Sequence, residues 1–79
     1  MQKDWKNENG KLIKLFKFKD FKEAIKFINA VGEISESLNH HPKIIVEYNS
    51  VEIELFTHDK NNSVTEKDYN LADAIDKLS

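Results

Sequence analysis

Hydrophobic and polar positions along the chain divide it into six short periodic segments. Trp5 opens an aromatic-anchored extended segment, and Asn7-Glu8-Asn9-Gly10 reads as a turn in which Gly10 can take positive φ. Lys11 to Phe18 mixes β-branched and aromatic residues over a strand-length run. Within it Leu12, Phe16 and Phe18 share one face while Ile13 and Leu15 share the other, so both faces are expected to be partly covered. Asp20 can cap a helix. Phe21, Ala24, Ile25, Ile28, Val31 and Leu38 recur at spacings near three and four, which predicts one buried helical stripe. Gly32 weakens that helix by about 1 kcal/mol against alanine. Pro42 bars the helix from continuing and pushes His41 towards an extended conformation.

Two further strands are predicted over Ile44 to Tyr48 and Val51 to Thr57, joined at Asn49-Ser50. Val51, Ile53 and Leu55 alternate with Glu52 and Glu54, a pattern with one buried and one wet face. Asp59 to Ser63 is a polar loop. Thr65 is a good N-cap with Asp68 three residues on, and Leu71, Ala74, Ile75 and Leu78 form the stripe of a last helix. The order strand, strand, helix, strand, strand, helix predicts an α+β domain: a four-stranded antiparallel sheet with helices packed on one face.

Composition narrows the class. A chain of 79 residues is expected to form a single domain over 1–79. A chain this short buries only about 60% of its unfolded surface, so self-association is an ordinary remedy, and a homodimer or homotetramer is expected. There is no cysteine, which excludes disulfides and thiolate metal sites. The first residues are polar rather than leader-like, and no apolar run approaches the roughly 18 residues of a membrane helix. A cytoplasmic setting without membrane partners is the expectation.

The net charge of −2 is unevenly spread. Residues 1–27 carry eight lysines against four acids, and residues 28–79 carry four lysines against ten acids. A weak basic patch could attract an anionic ligand. Every basic residue is lysine, which argues against direct nucleic-acid recognition, where bidentate contacts usually come from arginine.

The candidate chemistry lies in three histidines. His40 and His41 are adjacent at the predicted end of the first helix, and His58 stands where a strand gives way to a loop. Histidine changes charge near neutral pH, and a helix C-terminus favours its protonated form. Glu36 lies one helical turn before His40, on the same face, where it can accept a hydrogen bond from His40 and fix its tautomer.

The string Glu36-x3-His40-His41-Pro42-x5-Tyr48-x9-His58-x9-Asp68 resembles the signature of the pterin-4a-carbinolamine dehydratase family. Tyr48-Asn49-x-Val51-x-Ile53-x-Leu55-x-Thr57-His58-Asp59 resembles that family's hairpin and following turn, and Leu71-Ala72 and Ile75 its last helix. Trp5 and Phe16-x-Phe18-x-x-Phe21-x-x-Ala24 resemble its early strands and first central helix, so the likeness spans nearly the whole chain. Two departures stand out. The family's extra helix ahead of the tryptophan is not expected here, and Ser63-Val64 stand where glycine and leucine are common.

The resemblance implies dehydration of 4a-hydroxytetrahydropterin to quinonoid dihydropterin in tetrahydropterin recycling, with a small-molecule pterin as substrate and neither metal nor organic cofactor. It implies His40, His41 and His58 as the acid/base set, with Glu36 orienting His40. Asn39, Pro42, Thr57 and Asp59 would shape the pterin pocket. Asp68 is divided between completing the cap of Thr65 and serving the site. Asn39 stands where many members have aspartate. Two other readings remain open: a non-catalytic dimerisation module related to the family's transcription-cofactor role, and a zinc site. Against zinc, adjacent histidines on a helix diverge by about 100°.

Overall fold

The computed structural model describes residues 5–57 and 63–78. Two hairpins surround one long helix. The strands are β1 (Lys6–Glu8), β2 (Lys11–Lys17), β3 (Lys43–Glu47) and β4 (Ser50–Leu55), and the helices are α1 (Phe21–Leu38) and α2 (Glu66–Asp76). All pairings are antiparallel in the order β1-β2-β4-β3, so the last strand to be made lies inside the sheet. The fold is the expected α+β arrangement.

Each hairpin follows from its turn. Asn9 and Gly10 both take positive φ, 51° and 74°, the sign pattern of a type I′ turn, and Glu8 pairs with Lys11 across it. The second turn falls one residue earlier than expected. Glu47 pairs with Ser50, so Tyr48 and Asn49 form the connection. Tyr48, not the more tolerant asparagine, takes φ 51°. Asn49 is occupied otherwise: its carbonyl accepts from the Phe18 N–H at 2.8 Å and its side-chain amide donates to the Phe18 carbonyl at 3.0 Å.

The core lies between one face of the sheet and the two helices. Val51, Ile53 and Leu55 of β4 are fully buried against Ala24 and Val31 of α1 and Leu71 and Ile75 of α2. Phe16 stacks on Phe27 with ring centroids 4.7 Å apart, and Trp5 meets Phe16 edge-on at 6.0 Å. Such pairs add about 0.5–1.5 kcal/mol beyond their area. The indole N–H of Trp5 donates to Asp76, and Lys14 reaches the same carboxylate at 2.9 Å. These contacts fasten the start of the sheet to the end of α2.

Three expectations are corrected. The buried stripe of α1 is Ala24, Phe27, Val31 and Ser35, whereas Phe21 and Leu38 at the ends of the helix are exposed. Ser35 can be buried because its hydroxyl donates to the Val31 carbonyl at 2.7 Å. On the outer sheet face Leu15 is 56% and Ile45 43% exposed, so among the described residues that part of the face is left open. Glu54, expected to be wet, is buried beside Lys11, whose ammonium lies 3.1 Å away. That ammonium lowers the pKa of the Glu54 carboxyl, against the opposing effect of burial.

Candidate active site

The end of α1 delivers the histidine pair. Asn39 takes the left-handed conformation, φ 53° and ψ 43°. Its N–H donates to the Glu36 carbonyl, and the His40 N–H donates to the Ser35 carbonyl, each at 3.1 Å. This is a Schellman motif, which satisfies the last carbonyls of the helix and turns the chain sharply. His40 therefore follows a reversal of the backbone, and Pro42 precedes β3 directly.

The reversal reassigns the carboxylates. His40 Nε2 lies 2.5 Å from Asp68 Oδ1, and His41 Nε2 lies 2.7 Å from Glu36 Oε2. Glu36 thus partners His41 and not His40, as helical spacing had suggested. The spacing argument fails because the helix stops at Leu38 and residues beyond it no longer follow a 3.6-residue period. The two pairs differ in environment. The His40 side chain is 12% exposed and that of Asp68 is fully buried, whereas His41 and Glu36 are 57% and 79% exposed.

Asp68 occupies the third position of α2, where it completes the helix cap and also meets His40. Its Oδ2 accepts from the Thr65 N–H at 2.9 Å, as the acidic residue of a capping box does. The same oxygen accepts from the Thr57 hydroxyl at 2.8 Å, while Oδ1 faces His40. Thr57 and Thr65 hydroxyls lie 2.8 Å apart. A hydroxyl has one proton, so with Thr57 donating to Asp68 the Thr65 hydroxyl donates to Thr57. Thr57 is itself held by its N–H, which donates to the Ser63 carbonyl at 2.9 Å.

Of the residues expected at the site, the fold gathers His40, Thr57 and Asp68 into one network and sets His41 with Glu36 beside it. Asn39 is exposed and Pro42 half-buried on the segment between α1 and β3. Tyr48 lies at the turn and is 64% exposed. His58 and Asp59 lie outside the described residues. Thr65 belongs to the network too. From sequence it read as a helix cap alone, and no pattern in the chain links a cap hydroxyl to a distant threonine.

Among the described residues no group of three His, Cys, Asp or Glu side chains is arranged to hold a metal ion. A hollow of about 410 Å³ on the outer sheet face is lined by Lys6, Ile13, Lys14, Leu15 and Glu52 and contains no histidine. Chemistry favours the histidine cluster over that hollow, because imidazoles exchange protons near neutral pH.

Comparison with known proteins agrees with this geometry. The pattern that defines the family described as pterin 4 alpha carbinolamine dehydratase matches residues 1–78. A protein of Metallosphaera sedula, provisionally named a pterin-4-alpha-carbinolamine dehydratase, is 46% identical over 96% of this chain and 78% of its own length. A Sulfolobus acidocaldarius protein of the same provisional name is 46% identical over 94% of this chain and 80% of its own. The crystal structure of a transcriptional coactivator/pterin dehydratase from Brucella melitensis superposes with a TM-score of 0.90 at 33% identity, covering 96% of this chain and 82% of that one. A pterin dehydratase-like protein described as a RuBisCO assembly factor in the alpha-carboxysome shares the fold, with a TM-score of 0.81 at 23% identity over 99% of this chain and 93% of that one. With the fold, the paired histidines and these relatives in agreement, the chain belongs to the pterin-4a-carbinolamine dehydratase family.

Proposed function

We propose that the protein dehydrates 4a-hydroxytetrahydropterin to quinonoid dihydropterin by histidine acid/base catalysis, in the recycling of tetrahydropterin. The bond from C4a to its hydroxyl breaks and the hydroxyl takes a proton to leave as water. A ring nitrogen gives up a proton, and its electrons complete the new double bond. The reaction is redox-neutral and needs one proton donor and one acceptor. Each positioned transfer contributes on the order of 10²–10⁴-fold.

His40, His41 and His58 form the acid/base set. Asn39, Pro42 and Asp59 border it and contribute to the pterin pocket. The observation that carries this reading is that Thr57 and His40 bond opposite oxygens of the same Asp68 carboxylate. Convergence of His58 with the histidine pair on one bicyclic ligand belongs to the proposal.

The test is turnover of synthetic 4a-hydroxytetrahydropterin by His40→Ala, His41→Ala and His58→Ala variants that keep their fold. Each is expected to lose at least about tenfold. Full activity in all three would overturn the assignment. A wild-type rate no faster than the spontaneous reaction would point instead to a non-catalytic interaction module.

The working protein is proposed to be a homodimer or homotetramer, supported by the exposed Leu15 and Ile45 on the outer sheet face. Light scattering reads this directly. Among the described residues no helix is long and apolar enough to cross a membrane, and a cytoplasmic setting suits the proposed substrate.

A further inference from the structure

We infer that Thr57 is a positioning residue which acts through Asp68 to fix His40 in the tautomer protonated at Nε2, leaving Nδ1 as the atom that accepts a proton. The inference rests on the dehydratase reading for its catalytic consequence, but its structural half stands independently.

The hydrogen bonds run in one direction. The Thr65 hydroxyl donates to Thr57, the Thr57 hydroxyl donates to Asp68 Oδ2, and the Thr65 N–H donates to the same oxygen. Asp68 is fully buried, so bulk water cannot replace a missing donor. Its other oxygen faces His40 Nε2 at 2.5 Å. An ionised carboxylate only accepts, so the neutral imidazole must donate from Nε2. The second ring nitrogen, Nδ1, is then unprotonated and is the basic atom of the ring.

Thr57 is suited to hold this arrangement. It is 5% exposed, and its N–H to Ser63 fixes its backbone. Its hydroxyl is committed on both sides, as donor to Asp68 and as acceptor from Thr65. It therefore supports the carboxylate. Without that hydroxyl, Asp68 Oδ2 keeps only the Thr65 N–H among the described donors, and the Thr65 hydroxyl must seek a new acceptor. The obvious one is Asp68 itself, which would pull the carboxylate away from His40.

The contrast with His41 sharpens the assignment. Glu36 also meets Nε2, but that pair is largely exposed, so water competes for both partners and the tautomer is weakly held. Of the two described histidines, His40 alone has a carboxylate whose orientation is fixed by donors from two other residues.

The experiment compares Thr57→Val, which keeps shape and loses the hydroxyl, with Thr57→Ser, which keeps the hydroxyl. Nitrogen-15 NMR of the histidine rings reports the His40 tautomer without substrate, and steady-state kinetics report its consequence. Wild type and Thr57→Ser are expected to show Nε2–H at His40, with kcat within about twofold of each other. Thr57→Val is expected to populate Nδ1–H and to lose about tenfold or more in kcat, with KM little changed. Thr57→Ala, which also removes the hydroxyl, is the second probe should Thr57→Val not fold, and is expected to shift the tautomer in the same sense. A His40 ring that stays Nε2–H in the folded variants, or is not Nε2–H in wild type, overturns the inference. If wild type shows the tautomer but has no dehydratase activity, the proposed function fails while the positioning role survives.

Discussion

His41 Nε2 meets Glu36 Oε2 at 2.7 Å across five positions of sequence, one more than a helix would bring together. The cause is Asn39, whose left-handed backbone reverses the chain between the two residues. Asn39 was expected to line the pterin pocket by its side chain. Its backbone already has a separate task, the aiming of both imidazoles.

That task predicts a specific substitution pattern. Asn39→Gly preserves the left-handed turn and is expected to keep stability and both histidine pairings. Asn39→Val places a β-branched residue at positive φ, at a cost of about 1–2 kcal/mol. Urea denaturation measures the loss. Turnover is expected to fall more in the valine variant than in the glycine variant, since only the former displaces His40 and His41.

The two carboxylates should respond unequally to removal. Asp68→Ala strips the buried partner from His40, Thr57 and the Thr65 N–H, a loss of about 3–5 kcal/mol by analogy with breaking other buried charged pairs. Glu36→Ala removes an exposed pair and should cost less than about 1 kcal/mol. Chemical denaturation of both variants under one set of conditions checks the ordering. Equal losses would mean that burial does not separate the two sites.

A stabilising change is available in α1. Gly32 lies inside the helix on its exposed side, and an added Cβ would meet no atom within 4 Å. Gly32→Ala is expected to raise stability by about 0.5–1 kcal/mol, through helix propensity and a less disordered unfolded chain. Thermal unfolding reads the gain, and activity should be unchanged because Gly32 touches no part of the site.

Acid sensitivity should trace partly to Glu54. The ammonium of Lys11 holds its carboxyl below the usual glutamate range in the folded protein. The group therefore contributes stability that is present in full above the unfolded pKa, about 4.3, and is lost as pH falls through the lower folded value. Glu54→Gln is expected to lower stability at neutral pH and to flatten the decline on acidification. Denaturation midpoints measured from pH 7 down into the acid range test the slope.

The hydrophobic pattern was sufficient to locate the elements. Alternation at Val51, Ile53 and Leu55, the helical stripe through Ala24 and Val31, and the caps at Asp20 and Thr65 all act between near neighbours in sequence, where spacing fixes direction. Asn9-Gly10 and Pro42 likewise impose their effects through their own backbones. The histidine signature was legible because a family pattern records spacing along the chain. Ser35 escaped the pattern because its burial depends on a hydrogen bond to its own helix, and Glu54 because its burial depends on Lys11 from another strand.

Which carboxylate serves which histidine was decided only by the tertiary structure. Periodicity assigned Glu36 to His40, but a single left-handed residue ended the period, and α2 then brought Asp68 to His40 from 28 positions away. Local spacing describes a residue's neighbours on one element. Contacts between elements depend on how those elements pack, and here the packing of α2 against the end of α1 converts a helix cap into the support of an imidazole.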